Sequence, residues 1–223
     1  IIEDVKDAYK WVREKGPTLF NIDPERMAVM GHSAGGYLTL MTGFCVEPRP
    51  KVLVSFCGYC DITMDWYSRP DPFYCSMPAV SKEEAYKAVY GPVITGTEPG
   101  DKSRTPFYLY CRQNGLWPKE VTGYDPDAEP EAFNAYCPVR NVTADYPPTM
   151  LLHGDRDSGV PCEQSVIMAK ELARTGVDHQ LVIVPGGQHG FDKLGRGVEE
   201  NEIKNIIGDV IAFLVSISLH DKV

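Results

Sequence analysis

A serine flanked by glycines is the strongest sign of chemistry in this chain, and it lies in Gly31-His32-Ser33-Ala34-Gly35. An apolar run at 27–30 precedes it and a helical pattern follows, so Ser33 is predicted to lie on a sharp strand-to-helix turn. We expect side chains at positions 31 and 35 to collide with the neighbouring strand and helix. The turn would strain the Ser33 backbone and lift its hydroxyl clear of the sheet, as a nucleophile requires.

A nucleophilic serine needs a base, and the base needs a carboxylate to orient it, because the hydroxyl is hardly ionised at neutral pH. Two polar loops could supply these groups. Residues 153–157 read His-Gly-Asp-Arg-Asp and residues 186–190 read Gly-Gly-Gln-His-Gly, and each loop follows a predicted strand. Because the carboxyl ends of parallel strands gather at one edge of a sheet, we expect both loops to meet the serine there.

His189 is the predicted base, because glycines bracket it and would let its ring reach over the edge of the sheet. His153, which ends a strand, is the alternative base. The orienting carboxylate could be either Asp155 or Asp157. His32 lies beside the nucleophile, but its side chain is expected to point away from the serine hydroxyl and to pack against or support the site.

Alternating strands and helices are predicted to position these loops. The predicted strands are residues 26–31, 51–57, 149–153 and 180–184, and the predicted helices are residues 1–16, 34–44, 162–175 and 198–219. The first helix is expected to end at Gly16-Pro17. Such alternation predicts an α/β fold with a mostly parallel sheet and helices on both faces.

Residues 61–147 interrupt this alternation and are predicted to form a helical cap, inserted between the core segments 1–60 and 148–223. The segment holds eleven of the eighteen prolines and fourteen of the twenty-three aromatic residues, which is too much aromatic surface to leave in water. A capping box at Ser81 and the run 105–115 predict short helices within it.

Three aromatic residues that follow soon after the second predicted strand could face a substrate pocket: Trp66, Tyr67 and Phe73. The alternative is that these rings fill the small core of the cap itself. Both interpretations are open from the sequence, because the position of a ring along the chain does not give its direction.

Composition excludes several classes of function. The net charge of −9 and the lack of a basic stripe argue against a nucleic-acid partner, and no apolar run has the length of a membrane span. The odd number of cysteines, seven, favours a reducing, cytoplasmic compartment. Cys57 and Cys60 form a C-x-x-C with no second pair at zinc-finger spacing, so we expect core cysteines and no metal.

Three motifs in order resemble the α/β-hydrolase superfamily, in its esterase, lipase and dienelactone-hydrolase-like branch. They are residues 31–36, the segment 146–157 with Val160-Pro161, and residues 186–191. The resemblance implies that Ser33 is the nucleophile and His189 the general base and acid. It implies Asp157 as the carboxylate, since the acid of that family is the last residue of H-G-x-x-D, and leaves Asp155 to cap the loop.

The function implied by this resemblance is acyl transfer from small or medium carboxylic esters to water, with no cofactor. The N–H of Ala34 would be one donor of the oxyanion hole. His32, Val160 and Phe191 are the further residues expected near the substrate, a small-molecule ester. A peptidase of the prolyl oligopeptidase type and a catalytically silent domain are the alternatives.

The sequence departs from this family before Ile1. The second oxyanion donor of the family comes from a glycine-rich loop that no residue here matches, and the first half of the family sheet has no counterpart. The strand before Ser33 would then be an apolar edge. We therefore expect a piece of a larger hydrolase, or an edge covered by a second copy or another chain.

Overall fold

A four-stranded parallel sheet organises the chain, in a computed structural model that describes residues 1–91 and 104–220. The strands are β1 (Ala28–His32), β2 (Val52–Phe56), β3 (Thr149–Gly154) and β4 (His179–Val184). The helices are α1 (Ile2–Phe20), α2 (Ala34–Cys45), α3 (Asp65–Ser68), α4 (Pro72–Cys75), α5 (Lys82–Lys87), α6 (Thr105–Asn114), α7 (Trp117–Thr122), α8 (Glu163–Thr175) and α9 (Glu200–His220). Two 3-10 turns cover Pro130–Tyr136 and Pro138–Asn141.

The strands lie in the order β1-β2-β3-β4, and all neighbours are parallel. Ala28 is paired with Val52, Leu53 with Thr149, and Thr149 with His179. The central strands β2 and β3 are buried along their whole length, as expected for apolar strands covered on both faces. The predicted α/β fold with a parallel sheet is confirmed, and the predicted strands match to within two residues at each end.

Helices cover both faces of the sheet because the side chains of each strand alternate in direction. Val54 and Leu152 belong to a core that packs against Val210 and Phe213 of α9. Their chain neighbours on the strands, Leu53 and Leu151, belong to a second core with side chains of α2 and α8. The sheet therefore separates two apolar cores, and its carboxyl edge is left to the connecting loops.

The first helix does not end where the sequence predicted. It continues through Gly16 and Pro17 to Phe20 and ends at Asn21, whose φ of 54° is left-handed. A Cβ at Gly16 would lie 2.4 Å from Cδ1 of Ile22, so the Ile22 side chain packs against this glycine. The prediction was wrong because Gly-Pro usually marks a turn, whereas here the helix continues for three residues beyond Pro17.

Strand β1 forms an edge of the sheet, as predicted. Its residues alternate between exposed and half-buried, and the Met30 side chain is 56% exposed. An apolar edge strand can pair with another strand. That another part of a longer protein or a second chain covers β1 remains a prediction.

The chain divides into two compact units, residues 1–61 with 135–223 and residues 62–134. The proposed limits of the inserted cap, 61–147, stay a prediction, and its residues 92–103 lie outside the described residues. In the second unit, the Ser81 side chain caps α5 by accepting from the Glu84 N–H, and α6 ends at Gly115 with a φ of 65°. Both local predictions are confirmed.

Arg112 lies at the centre of the second unit. Its guanidinium is 1% exposed and donates to Asp71 Oδ2 at 2.7 Å. Four aromatic rings have their centroids 4.3 to 5.9 Å from its Cζ atom: those of Trp66, Tyr67, Tyr74 and Tyr108. Many aromatic residues of this segment thus contribute to its own core.

No helix among the described residues is both long enough and apolar enough to cross a membrane.

Candidate active site

Ser33 lies at the junction of β1 and α2 with a φ of 55°, a conformation that residues with a side chain rarely adopt. Its N–H donates to Phe56 O at 2.8 Å, which ties the turn to β2. A Cβ at Gly31 would lie 2.3 Å from Gly35 O. The predicted strained turn is therefore present, and Gly31 is required by the close approach of α2.

The same expectation for Gly35 was wrong. A Cβ at that position would meet no atom within 4 Å. The crowded position is Gly36, where a Cβ would lie 2.8 Å from Ser55 Oγ and 2.9 Å from Gly58 Cα. The second glycine of the motif thus points to open space, and the third allows α2 to approach the end of β2.

The structure brings Ser33, His189 and Asp157 into one line of contacts. His189 Nε2 lies 2.9 Å from Ser33 Oγ, and His189 Nδ1 lies 2.7 Å from Asp157 Oδ2. The imidazole is 35% exposed, whereas the Asp157 side chain is fully buried. In this arrangement the imidazole can accept the serine proton at Nε2 while Nδ1–H donates to the carboxylate.

The buried Asp157 carboxylate is held by several donors. Its Oδ1 accepts from the N–H groups of Gly159 and Val160 at 2.8 and 2.9 Å. Burial acts to raise the pKa of this carboxyl, but hydrogen bonds from His153, His189 and the Val160 N–H outweigh it and hold the pKa well below its ordinary range. Asp157 is therefore charged at neutral pH and can stabilise an imidazolium.

Asp155, the alternative carboxylate, contacts the backbone of the loop after β4. Its Oδ1 accepts from the Gly186 N–H at 2.7 Å, and the Arg156 N–H donates to Gly187 O at 2.9 Å. A Cβ at Gly154 would lie 2.1 Å from Gly187 O. These contacts join the loop after β3 to the loop after β4, so Asp155 connects the segments that carry the acid and the base.

His153, the alternative base, is fully buried. Its Nδ1 lies 2.8 Å from Ser165 Oγ and its Nε2 lies 3.0 Å from Val160 O. Nε2 also lies 3.4 Å from Asp157 Oδ2. His153 therefore supports the carboxylate from behind, and His189 is the histidine that contacts the serine.

A cavity of about 160 Å³ opens beside Ser33. Its wall is formed by His32, Ser33, Cys57, His189, Gly190, Asp192, Lys193 and Arg196. His32 stacks on Phe56, with ring centroids 4.5 Å apart, and its Nε2 lies 2.9 Å from Asp192 Oδ2. His32 thus packs on β2, as expected, and also forms part of the cavity wall.

The other residues predicted near substrate are not in this wall. Val160 and Phe191 are buried in the first unit, where Val160 holds Asp157 and Phe191 packs near Phe56. Trp66 and Tyr67 stack on each other in the second unit, with centroids 4.3 Å apart. Substrate contact remains a prediction for all five residues; Phe73 is half-exposed, whereas Val160, Phe191 and Tyr67 are buried.

Sequence reasoning missed Cys57, Asp192, Lys193 and Arg196 as wall residues. The last three follow His189 within seven positions, and this short separation is a signal that could have found them. Cys57 gave no such signal, because it was interpreted only as half of a C-x-x-C. In the structure it continues directly from β2 with a φ of 48°, and this turns it toward the site.

Cys57, Asp157 and His189 present potential metal ligands within 4.8 Å of one another. The geometry instead favours proton transfer between Ser33 and His189, with Asp157 as the orienting carboxylate; these three residues form the proton relay. His189 Nδ1 and Asp157 Oδ2 face each other at 2.7 Å, which is hydrogen-bond distance. Burial raises the pKa of the Cys57 thiol to about 11, so without a bound metal it is protonated at neutral pH.

Helix α2 begins at Ala34, immediately after the serine. The first N–H groups of a helix lack acceptors within the helix and carry a partial positive charge. The Ala34 N–H is therefore among the groups that could stabilise negative charge on an atom bonded to Ser33 Oγ.

Two family models match different parts of the chain. The model described as BD-FAE matches residues 1–60, which include Ser33, and the prolyl oligopeptidase family matches residues 106–216, which include Asp157 and His189. Each match contains one part of the relay.

Individual relatives match across most of the chain. Esterase LipC of Mycobacterium tuberculosis is 29% identical over 86% of this chain and 41% of its own length. Non-reducing polyketide synthase Preu3 of Preussia isomera is 27% identical over 95% of this chain and 10% of its own length. The chain thus spans less than half the length of either relative. A protein of unknown function from Staphylococcus aureus shares the fold, with a TM-score of 0.74 at 20% identity, over 97% of this chain and 72% of that one.

Proposed function

Because the chain belongs to the esterase and lipase branch of the α/β-hydrolase superfamily, we propose that it hydrolyses carboxylic esters of small or medium acyl groups through an acyl-enzyme on Ser33. The observation that carries the proposal is the continuous contact from Ser33 Oγ through His189 to Asp157. The relative at 29% identity is an esterase by name, which agrees with this reaction.

In the first half of the proposed reaction, Ser33 Oγ attacks the ester carbonyl while His189 Nε2 takes its proton. Asp157 stays ionised and stabilises the imidazolium that forms, since its pKa is held low by its hydrogen bonds. The Ala34 N–H donates to the developing oxyanion. The imidazolium then protonates the leaving alcohol.

In the second half, water attacks the acyl-enzyme, again with His189 as the base. The acid product leaves and the serine hydroxyl is regenerated. The strained backbone at Ser33 supports this sequence of steps, because it keeps Oγ at the tip of the turn and within 2.9 Å of the base.

The cavity beside Ser33 supports a short acyl group. Its volume of about 160 Å³ is well below the roughly 300 Å³ at which pockets for drug-sized ligands begin. A short acyl chain fits that space, and a long one would have to leave it.

A fluorophosphonate probe tests the proposed nucleophile directly. The complete protein should be labelled at Ser33, and labelling should be lost in Ser33→Ala and in His189→Ala. Ser216→Ala, a change to another serine hydroxyl on α9, is the control and should be labelled normally. If the folded protein is not labelled, or if Ser33→Ala is still labelled, the proposal is refuted and the silent-domain alternative gains support.

A peptidase activity is the second candidate, because the prolyl oligopeptidase family matches residues 106–216. The same relay cleaves amides when the site protonates an amine leaving group. The two functions are separated by comparing p-nitrophenyl acetate and butyrate with a proline-containing peptide p-nitroanilide. A higher kcat/KM for the anilide would favour the peptidase.

A further inference from the structure

Two cationic side chains in the cavity wall are not neutralised by the protein. Lys193 and Arg196 both line the cavity that contains Ser33 and His189. Within residues 1–91 and 104–220, neither side chain forms an ion pair or a hydrogen bond, and both are exposed. They are therefore free to contact a substrate.

Backbone hydrogen bonds hold residues 193 and 196 next to the base. The Lys193 N–H donates to Gly190 O at 3.0 Å, in the turn that immediately follows His189. The Gln188 N–H donates to Arg196 O at 2.9 Å, so Arg196 is fixed beside the residue that precedes His189. The loop backbone at positions 193 and 196 is thus held beside the base, and the exposed side chains of both residues extend from it.

The wall contains one carboxylate, which does not cancel these charges. Asp192 Oδ2 lies 2.9 Å from His32 Nε2, and its Oδ1 is buried and contacts no donor among the described residues. The wall therefore has two positively charged side chains, Lys193 and Arg196, and one negatively charged side chain, Asp192. The chain as a whole has a net charge of −9, so the sum of these three charges has the opposite sign to the net charge of the chain.

A local positive potential beside a nucleophile attracts one class of substrate. In an acidic protein, general repulsion disfavours anions except where fixed cations outweigh it. Arginine in particular presents a planar fork of donors that matches a carboxylate. Neutral esters would not use these groups.

We propose that the ester cleaved at Ser33 carries a free carboxylate, which Lys193 and Arg196 bind beside the scissile bond. This inference rests on the proposed esterase function and names its substrate class. The chemistry at Ser33 does not change: water and the ester give an alcohol and a second carboxylic acid. The cations act on binding and orientation of the substrate.

Matched ester pairs measured on the complete protein test this proposal. One pair places the carboxylate on the acyl half, p-nitrophenyl hydrogen glutarate against p-nitrophenyl pentanoate. The other places it on the alcohol half, 4-acetoxybenzoate against 4-acetoxybenzamide. At low salt we expect kcat/KM for the anionic member of at least one pair to be about tenfold higher, and this ratio to fall as ionic strength rises.

Variants connect the preference to the two cations. Lys193→Met and Arg196→Met should each lower the anionic-to-neutral ratio about fivefold, the size expected for an exposed charge contact. Arg196→Lys should retain most of the ratio, because it keeps the charge. Lys170→Met removes a cation on α8 that is outside the cavity wall and should leave the ratio unchanged.

The outcomes separate the two proposals. If both neutral and anionic esters are cleaved with equal kcat/KM, or if Lys170→Met lowers the ratio as much as Arg196→Met, the carboxylate inference is overturned while the esterase proposal stands. If no ester is cleaved and Ser33 is not labelled by the fluorophosphonate, the esterase proposal fails and the inference fails with it.

Discussion

The Nε2 atom of His153 lies 3.4 Å from Oδ2 of Asp157, and both side chains are fully buried. The same oxygen lies 2.7 Å from Nδ1 of His189. The carboxylate is therefore held between two imidazoles, of which only the exposed one contacts the nucleophile. A buried histidine in this position acts through the acid rather than on the substrate.

Replacing His153 with glutamine should affect both stability and turnover. His153→Gln removes donors and acceptors that satisfy Ser165 and Val160, so we expect a loss of about 2 kcal/mol in the free energy of unfolding. We also expect kcat to fall about tenfold with a smaller change in KM, because Asp157 is less well positioned. Urea denaturation and ester kinetics measure the two effects. His179→Gln is the control, and equal effects in both variants would contradict the positioning role.

The two candidate carboxylates should differ sharply in their effect on kcat. Asp157→Asn should lower kcat on the order of 1000-fold to 10,000-fold, because the amide no longer fixes the tautomer of His189 or stabilises its charged form. Asp155→Asn should reduce the free energy of unfolding by about 1 kcal/mol through the weakened contact with Gly186, and kcat much less. A larger kcat loss in Asp155→Asn would reverse the assignment.

The Cys57 thiol should resist alkylation at neutral and mildly basic pH. Burial raises its pKa to about 11, so the folded state favours the protonated thiol. Its contribution to stability is complete below the ordinary thiol pKa of about 8.5 and is lost as pH rises through about 11. With iodoacetamide at about pH 8, peptide mapping should find exposed Cys75 modified and Cys57 intact until urea unfolds the protein. Modification of both at equal rates in the folded state would contradict this.

Two neighbouring glycines after Ser33, at the start of α2, should change the free energy of unfolding in opposite directions when replaced by alanine. Gly35→Ala should raise the free energy of unfolding by about 0.5–1 kcal/mol, because its Cβ meets open space within α2. Gly36→Ala should lower it by about 1–3 kcal/mol, because its Cβ would press on Ser55 and on the Gly58 backbone. Thermal unfolding of the two variants is the measurement. A stabilised Gly36→Ala would show that the contact relaxes easily.

The second unit should depend strongly on Arg112. Arg112→Met leaves the Asp71 carboxylate without its buried partner and removes the cation that the surrounding rings enclose, so we expect a loss of about 3 kcal/mol. Arg69→Met breaks an exposed pair with Asp127 in the same unit and should have little effect. Limited proteolysis between residues 62 and 134, together with urea denaturation, compares the two variants. Similar behaviour would argue against a structural centre at Arg112.

Local patterns were sufficient to predict most of the elements. Strands β2 and β3 are short apolar runs with turn residues at their ends, and both the pattern and its cause lie within a few residues. The two loops after β3 and β4 could be placed beside Ser33 for the same reason, since parallel strands end at one edge.

Features that depend on contacts between residues far apart in the sequence could not be predicted. The crowding of Gly36 comes from Ser55 and Gly58, some twenty positions away, whereas the motif itself suggested Gly35. The continuation of α1 past Pro17 runs against the local Gly-Pro pattern. The choice between Asp155 and Asp157 needed the side-chain directions of a loop, and spacing alone does not give them.

The contacts that join Asp155 to Gly186 and Arg156 to Gly187 connect the loop that carries Asp157 with the loop that carries His189. These contacts hold the loops that carry Asp157 and His189 together in the absence of substrate. The segment that carries Lys193 and Arg196 follows these contacts along the chain, in the second loop. We expect a change of either side chain to alter which ester is preferred, whereas the backbone of this segment, which is hydrogen-bonded to Gly190 and Gln188, is needed to position His189. Changes in substrate preference are therefore expected from the side chains at positions 193 and 196.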